Sequence, residues 1–252
     1  MKHLIIHVQS NIKREKLIKE DFLNKIDWEF FSAVEWSKIF DAKTGLNLEN
    51  TYVNYYGDTG LKIINPSEIY IIFQCGVTKI IDYIPASHLS TLYNAYNTYL
   101  SDREIACALS HLEAIKFYFE NYSDDYFVLC EDDIKINYNN PPSAIYEKIN
   151  DIDFDICMIC ESPKYGQSLP FKKSINEYFY EVSPHWYSGA AAYIINRRVY
   201  ERYLKNLTTI SYAADDLFGL LQLDFGCKII ASALPVFLLN DSSKESSLIV
   251  SL

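Results

Sequence analysis

Residues 126–136, YFVLCEDDIKI, decide the fold. The first five, 126–130, form an unbroken aromatic and aliphatic run that belongs in the middle of a sheet, and Glu131, Asp132 and Asp133 follow without a spacer. Ionised carboxylates are costly to bury unless they are paired or hold a cation. The three acids therefore either turn straight into water or grip something positive.

On both sides of this stretch, strand-like and helix-like segments alternate. Residues 3–9 are apolar and β-rich; 13–25 follow, with Ile18, Phe22 and Ile26 at four-residue steps that draw one helical stripe; 28–34 return to strand composition. This βαβ start favours a parallel sheet with helices packed on it. Residues 36–100 mix turn signals with short aromatic runs and read as an irregular insertion. From Ser101 the pattern sharpens. In S-D-R-E the Ser101 hydroxyl can accept from the Glu104 amide while the Glu104 carboxylate reaches back, and Ile105, Ala108, Leu112, Ile115 and Phe119 then share one helical face. Beyond the acids we expect a short helix to Ile149, strands at 154–160 and 191–195, a basic helix at 197–205, a helix at 213–223, and late strands at 227–230 and 236–239. The expectation is one α/β domain over residues 1–252.

Composition narrows the function. With 49% hydrophobic and 22% charged residues, the 252-residue chain is that of an ordinary globular protein with a sizeable core. A formal charge of -10 argues against a nucleic-acid-binding surface, which needs an excess of Lys and Arg. An anionic small ligand remains compatible if a metal supplies the positive charge. The opening MKHLIIHVQSN is too briefly apolar for a signal peptide or a membrane span, and the six scattered cysteines read as reduced thiols, so a cytoplasmic location is expected. Cys157 and Cys160 spell C-x-x-C, but on a strand an offset of three puts them on opposite faces.

A divalent cation such as Mg²⁺ or Mn²⁺ takes one or two carboxylates and completes its shell with water and substrate phosphates. Glu131 and Asp133, two apart at a strand end, can reach a common site once the chain turns, leaving Asp132 to accept from a ribose or sugar hydroxyl. Open α/β sheets bind ligands just outside the carboxyl ends of their strands, where these acids fall.

Four stretches in matching order resemble glycosyltransferase family 25, the bacterial lipooligosaccharide β-1,4-galactosyltransferases and their relatives. DWEFFSAVE (27–35) is similar to the family's phenylalanine-rich second strand, and LSDREIACALSHLEAIK (100–116) to its L-S/T-x-G-E-x-G-C-x-x-S-H helix. FVLCEDDIKI is similar to its strand closed by E-D-D, and SGAAAYIINRRVYERYL (188–204) to its Gly-x-x-Ala-Tyr strand and following helix. The chain departs from the pattern at Arg103 and Ala106, where the family usually has glycines, and HVQSNIKREK lacks the usual Asn-Leu-x-Arg-Arg.

The resemblance implies a GT-A type, Rossmann-like α/β sandwich with a mixed, mainly parallel central sheet. It implies an inverting, metal-dependent enzyme that transfers a hexose, galactose from UDP-galactose, to a cell-surface lipooligosaccharide or polysaccharide acceptor, and it allows a peripheral contact with the inner membrane face. In this reading Glu131 and Asp133 hold Mn²⁺ or Mg²⁺, and Asp132 faces the donor. Val8, Gln9 and Ser10 at the end of the first strand, Ala33 and Val34 at the end of the second, and Arg14 lie where base, ribose and phosphate belong. Ser110 and His111 brace the acid loop. Gly189 and Ala190 let a sugar approach the backbone, beside a platform of Trp186 and Tyr187. Inversion needs a base opposite the leaving group. Asp215 and Asp216, two acids ahead of an apolar helical run, are favoured over Glu161 and His185. The rival readings are a catalytically silent glycan-binding relative and a nucleotidyltransferase on a similar fold.

Overall fold

In the computed structural model, residues 1–34, 102–160, 171–182, 190–205 and 213–240 are described, with four short strands between 52 and 80 described in backbone alone. In chain order the elements are β1 (Lys2–His7), α1 (Ile12–Phe22), β2 (Asp27–Ser32), β3 (Tyr52–Asn54), β4 (Gly60–Lys62), β5 (Ile69–Phe73), β6 (Gly76–Ile80), α2 (Asp102–Asn121), β7 (Tyr126–Glu131), β8 (Ile134–Ile136) and α3 (Pro142–Ile149). There follow β9 (Ile156–Met158), β10 (Phe171–Ser174), β11 (Phe179–Val182), β12 (Ala192–Asn196), α4 (Arg197–Val199), a π-helical stretch Tyr200–Leu204, α5 (Asp216–Phe225), β13 (Ile229–Ser232) and β14 (Phe237–Leu239).

Packing divides the chain into two units, one of residues 1–33, 111–205 and 215–252, the other of 34–110 and 206–214. The first unit holds an eight-stranded sheet in the order β10-β11-β13-β9-β12-β7-β1-β2. Parallel pairing joins β2 to β1, β1 to β7 and β9 to β13, and only β11 and β12 run against the others, giving the mixed, mainly parallel sheet expected. In the second unit β3 pairs with β4 and β5 with β6, both antiparallel.

The apolar run of β7 occupies the middle of the large sheet: Phe127, Val128, Leu129 and Cys130 have no exposed surface. One cluster on this sheet joins Ile5, Val128, Cys130, Ile194 and Ile230 to Ile18 and Phe22 of α1 and Ile145 and Ile149 of α3. Burying each such side chain contributes about 1.5–3 kcal/mol. The helical stripe anticipated in α1 thus faces the sheet, and the helix ends where Leu23 donates to Lys19 and Asn24 turns into the left-handed region.

Three elements differ from expectation. The strand expected at 154–160 is regular only over Ile156–Met158, because Ile159 hands its carbonyl to the amides of Val236 and Phe237 and steers the chain toward β14. The basic helix at 197–205 is present but widens to π geometry after Val199, with Lys205 N–H reaching the Tyr200 carbonyl at 2.8 Å. The hairpin of β10 and β11 has no counterpart in the sequence reading. The Ser101 cap lies outside the described residues. Among those described, no helix is long and apolar enough to cross a membrane.

Candidate functional site

The three acids sit where the chain passes from one sheet to another. Glu131 is still in the large sheet, its N–H donating to the Ala191 carbonyl at 2.8 Å; three residues later the chain enters β8, which pairs with β14, and Asn240 N–H donates to the Asp133 carbonyl at 2.6 Å. The turn is therefore held by backbone bonds at both ends. It lies at the carboxyl ends of β1 and β7, whose register places Ile6 beside Glu131. This is the edge at which α/β sheets bind ligands.

Each acid has a different surrounding. Glu131 is half-buried and accepts from His111 Nε2 at 3.2 Å. A carboxylate can only accept, so the His111 proton is on Nε2, and in the neutral ring Nδ1 accepts from the Tyr193 hydroxyl at 2.9 Å. Tyr193 in turn meets Phe218 of α5 edge-on at 4.7 Å. Burial works to raise the Glu131 carboxyl, but the hydrogen bond from His111, with the nearby charge of Arg14, outweighs it and holds it below its ordinary value.

Asp132 points inward and is 6% exposed. His7 Nδ1 donates to its Oδ2 at 2.7 Å and Arg14 Nη1 to its Oδ1 at 2.5 Å, so both oxygens are engaged from within the chain. Arg14 is placed by the start of α1, where the Asn11 side chain accepts from the Arg14 amide at 3.2 Å and the Asn11 amide closes a turn on Val8.

Asp133 is crowded. The second Arg14 nitrogen is 3.8 Å from its Oδ2. Burial first, then the like charges of Glu131 and Asp132, push its carboxyl up to about 7, with Arg14 opposing. Among the described residues, Asp133 Oδ1 and His7 Nε2 are the buried side-chain polar atoms left without a hydrogen-bond partner. An orphaned carboxylate oxygen beside a second carboxylate suits a hard divalent cation, which would satisfy the oxygen and neutralise the crowding. Glu131 and Asp133 thus fit the metal role expected of them.

The remaining candidates divide. Val8 is half-buried; Gln9 and Ser10 are exposed at the same sheet edge, where Gln9 Nε2 donates to Ser32 Oγ at 2.5 Å and Ala33 N–H to the His7 carbonyl at 2.9 Å. In the other unit, Ser110 Oγ accepts from Val34 N–H at 2.8 Å and donates to the Ala106 carbonyl at 2.6 Å, a brace of backbone to helix. Ala190 is buried just ahead of β12. Asp215 is half-buried at the N-terminus of α5, of which Asp216 is the first residue. Trp186, Tyr187, Gly189, Glu161 and His185 lie outside the described residues.

Sequence reasoning missed His7 and Tyr193. Both sit in strands read for their apolar neighbours, and the available signal was the polar atom each carries in a run buried on both faces. A cavity of about 540 Å³, lined in part by Lys148, Asp153, Tyr178 and Lys228, holds none of these acids.

The family model described as "Glycosyltransferase family 25 (LPS biosynthesis protein)" matches residues 1–218. No curated protein matches the chain. Among solved structures, the inositol-1-phosphate CTP transferase from T. maritima is similar at 14% identity over 98% of this chain and 92% of that chain, with a TM-score of 0.38.

Proposed function

Because the chain belongs to glycosyltransferase family 25, we propose that it is a metal-dependent, inverting hexosyltransferase that moves galactose from UDP-galactose to a glycan acceptor of a cell-surface lipooligosaccharide or polysaccharide. The observation that carries the metal-dependent reading is the turn at Glu131–Asp133, with one buried carboxylate oxygen unpartnered beside a second acid. Glu131 and Asp133 are the residues that would hold Mn²⁺ or Mg²⁺. When bound, such a cation stabilises the negative charge that grows on a nucleoside diphosphate as the anomeric C–O bond breaks.

The chain's own residues supply the rest. His111 fixes the orientation of Glu131 through one nitrogen and is itself fixed by Tyr193 through the other. Val8, Gln9, Ser10 and Ala33, at the ends of the first two strands, form the edge offered to the nucleotide, with Arg14 beside the acids near the diphosphate. Asp215 or Asp216 takes the proton from the attacking acceptor hydroxyl. Acceptors of this kind are lipid-anchored glycans, which fits work at the inner membrane face.

Calorimetric titration of UDP with and without Mn²⁺ tests the reading, the expected result being binding only with metal. Metal-independent binding, or none, would sink it. A donor-hydrolysis screen over UDP-galactose, UDP-glucose and their N-acetylated forms is expected to favour UDP-galactose.

A further inference from the structure

The protein has three histidines in its described core, and they are not used alike. His3 donates through Nδ1 to the Asp27 carbonyl at 2.9 Å and meets the Tyr146 hydroxyl through Nε2 at 2.6 Å; His111 likewise engages both nitrogens. His7, with 5% of its side chain exposed, binds Asp132 through Nδ1 and leaves Nε2 buried and bare. A histidine kept only for stability would be expected to satisfy both nitrogens, since an unpartnered buried polar atom costs about 1–3 kcal/mol. The arrangement points to a task for the one bond that His7 does make.

That bond turns the middle acid inward. His7 ends β1, in register with Ser32 of β2, and its ring lies 4.7 Å from that of Phe30, so it has little freedom to follow a moving carboxylate. Asp132 is tied on its other oxygen by Arg14. Backbone bonds hold the two ends of the turn, and fixing Asp132 fixes its middle, between Glu131 and Asp133. Two neighbouring carboxylates repel, and with Asp132 released the side chains of Glu131 and Asp133 would be freer to separate between those fixed ends.

We propose that His7 is a positioning residue for the acid turn, holding Asp132 inside so that Glu131 and Asp133 are preset for a divalent cation. Asp132 is then the anchor of the turn, and His7 touches neither cation nor sugar donor. The inference rests on the reading of Glu131 and Asp133 as cation ligands given above. Partners that orient metal ligands typically change metal affinity 10- to 100-fold when removed. Arg14 shares the task, but its charge also acts on Asp133, so His7 is the cleaner probe.

The test is Mn²⁺ binding to the donor-free protein, followed by the electron paramagnetic resonance of free Mn²⁺. His7→Phe keeps a ring against Phe30 but cannot donate; His7→Gln keeps a donor. The expected result is Mn²⁺ affinity weakened about 10- to 100-fold in a folded His7→Phe, largely recovered in His7→Gln, and a fall in kcat larger than any rise in donor KM. Wild-type affinity in His7→Phe overturns the positioning role and leaves the metal site standing, as does equal weakness in both variants. Absence of Mn²⁺ binding by the wild-type protein overturns the site and the positioning role together. Should His7→Phe not fold, Asp132→Asn reads the same contact from the turn, and undiminished Mn²⁺ affinity there overturns the proposal equally.

Discussion

Asp133 is a residue whose removal should help the fold and harm the chemistry. Its ionised form is disfavoured by burial and by Glu131, so replacing it with a neutral isostere relieves a cost that the metal-free protein bears at neutral pH. Asp133→Asn is expected to stabilise the metal-free protein by on the order of 1 kcal/mol, raising Tm by a few degrees, while Asp133→Ala loses metal-dependent UDP binding without unfolding. Scanning calorimetry and calorimetric UDP titration read the two effects. His3 gives a second prediction. It is 1% exposed, and burial lowers its pKa from 6.5 to about 4. The unfolded chain therefore binds this proton first as pH falls, so the contribution of His3 to stability is complete above pH 6.5 and lost progressively toward about 4. The full loss is about 3 kcal/mol, and the urea midpoint of His3→Gln should fall less steeply over that window. At this scale the sequence made the acids legible, because three charges after an apolar run are conspicuous. It could not show that Asp132 faces inward, since that depends on His7 and Arg14, 125 and 118 residues away in the chain.

Elements were readable where a period repeats often enough to be seen. Helix α1 shows its stripe at Ile18 and Phe22, both buried, and α2 shows Ala108, Ile115 and Phe119, also buried. Strand β8 has three residues, too few for a period, and the charged Lys172, Lys173, Glu177 and Glu181 disguise the edge hairpin of β10 and β11. The end of α5 was legible in principle. Gly226, at φ 68, closes that helix in the left-handed region, and an added Cβ there would meet nothing within 4 Å. The cost of Gly226→Ala is then purely conformational, about 1 kcal/mol, measurable as a lower urea midpoint. Asn at the same position should cost less.

Across the whole molecule the charge of -10 opposes an anionic nucleotide. Raising salt screens that repulsion, so metal-dependent UDP binding should survive added salt better than binding at a site built on basic residues would; titration with Mn²⁺ at two ionic strengths decides. The path of the acid turn from the eight-stranded sheet into the β8 and β14 pair has a consequence in time. Many ligand-gripping loops open on their own, far more often than the protein unfolds. Here the Glu131 amide is bonded to Ala191 on one side and the Asn240 amide to Asp133 on the other, so the turn cannot swing out without unzipping a strand pair. Those two amide protons should exchange with solvent as slowly as those of the buried strands.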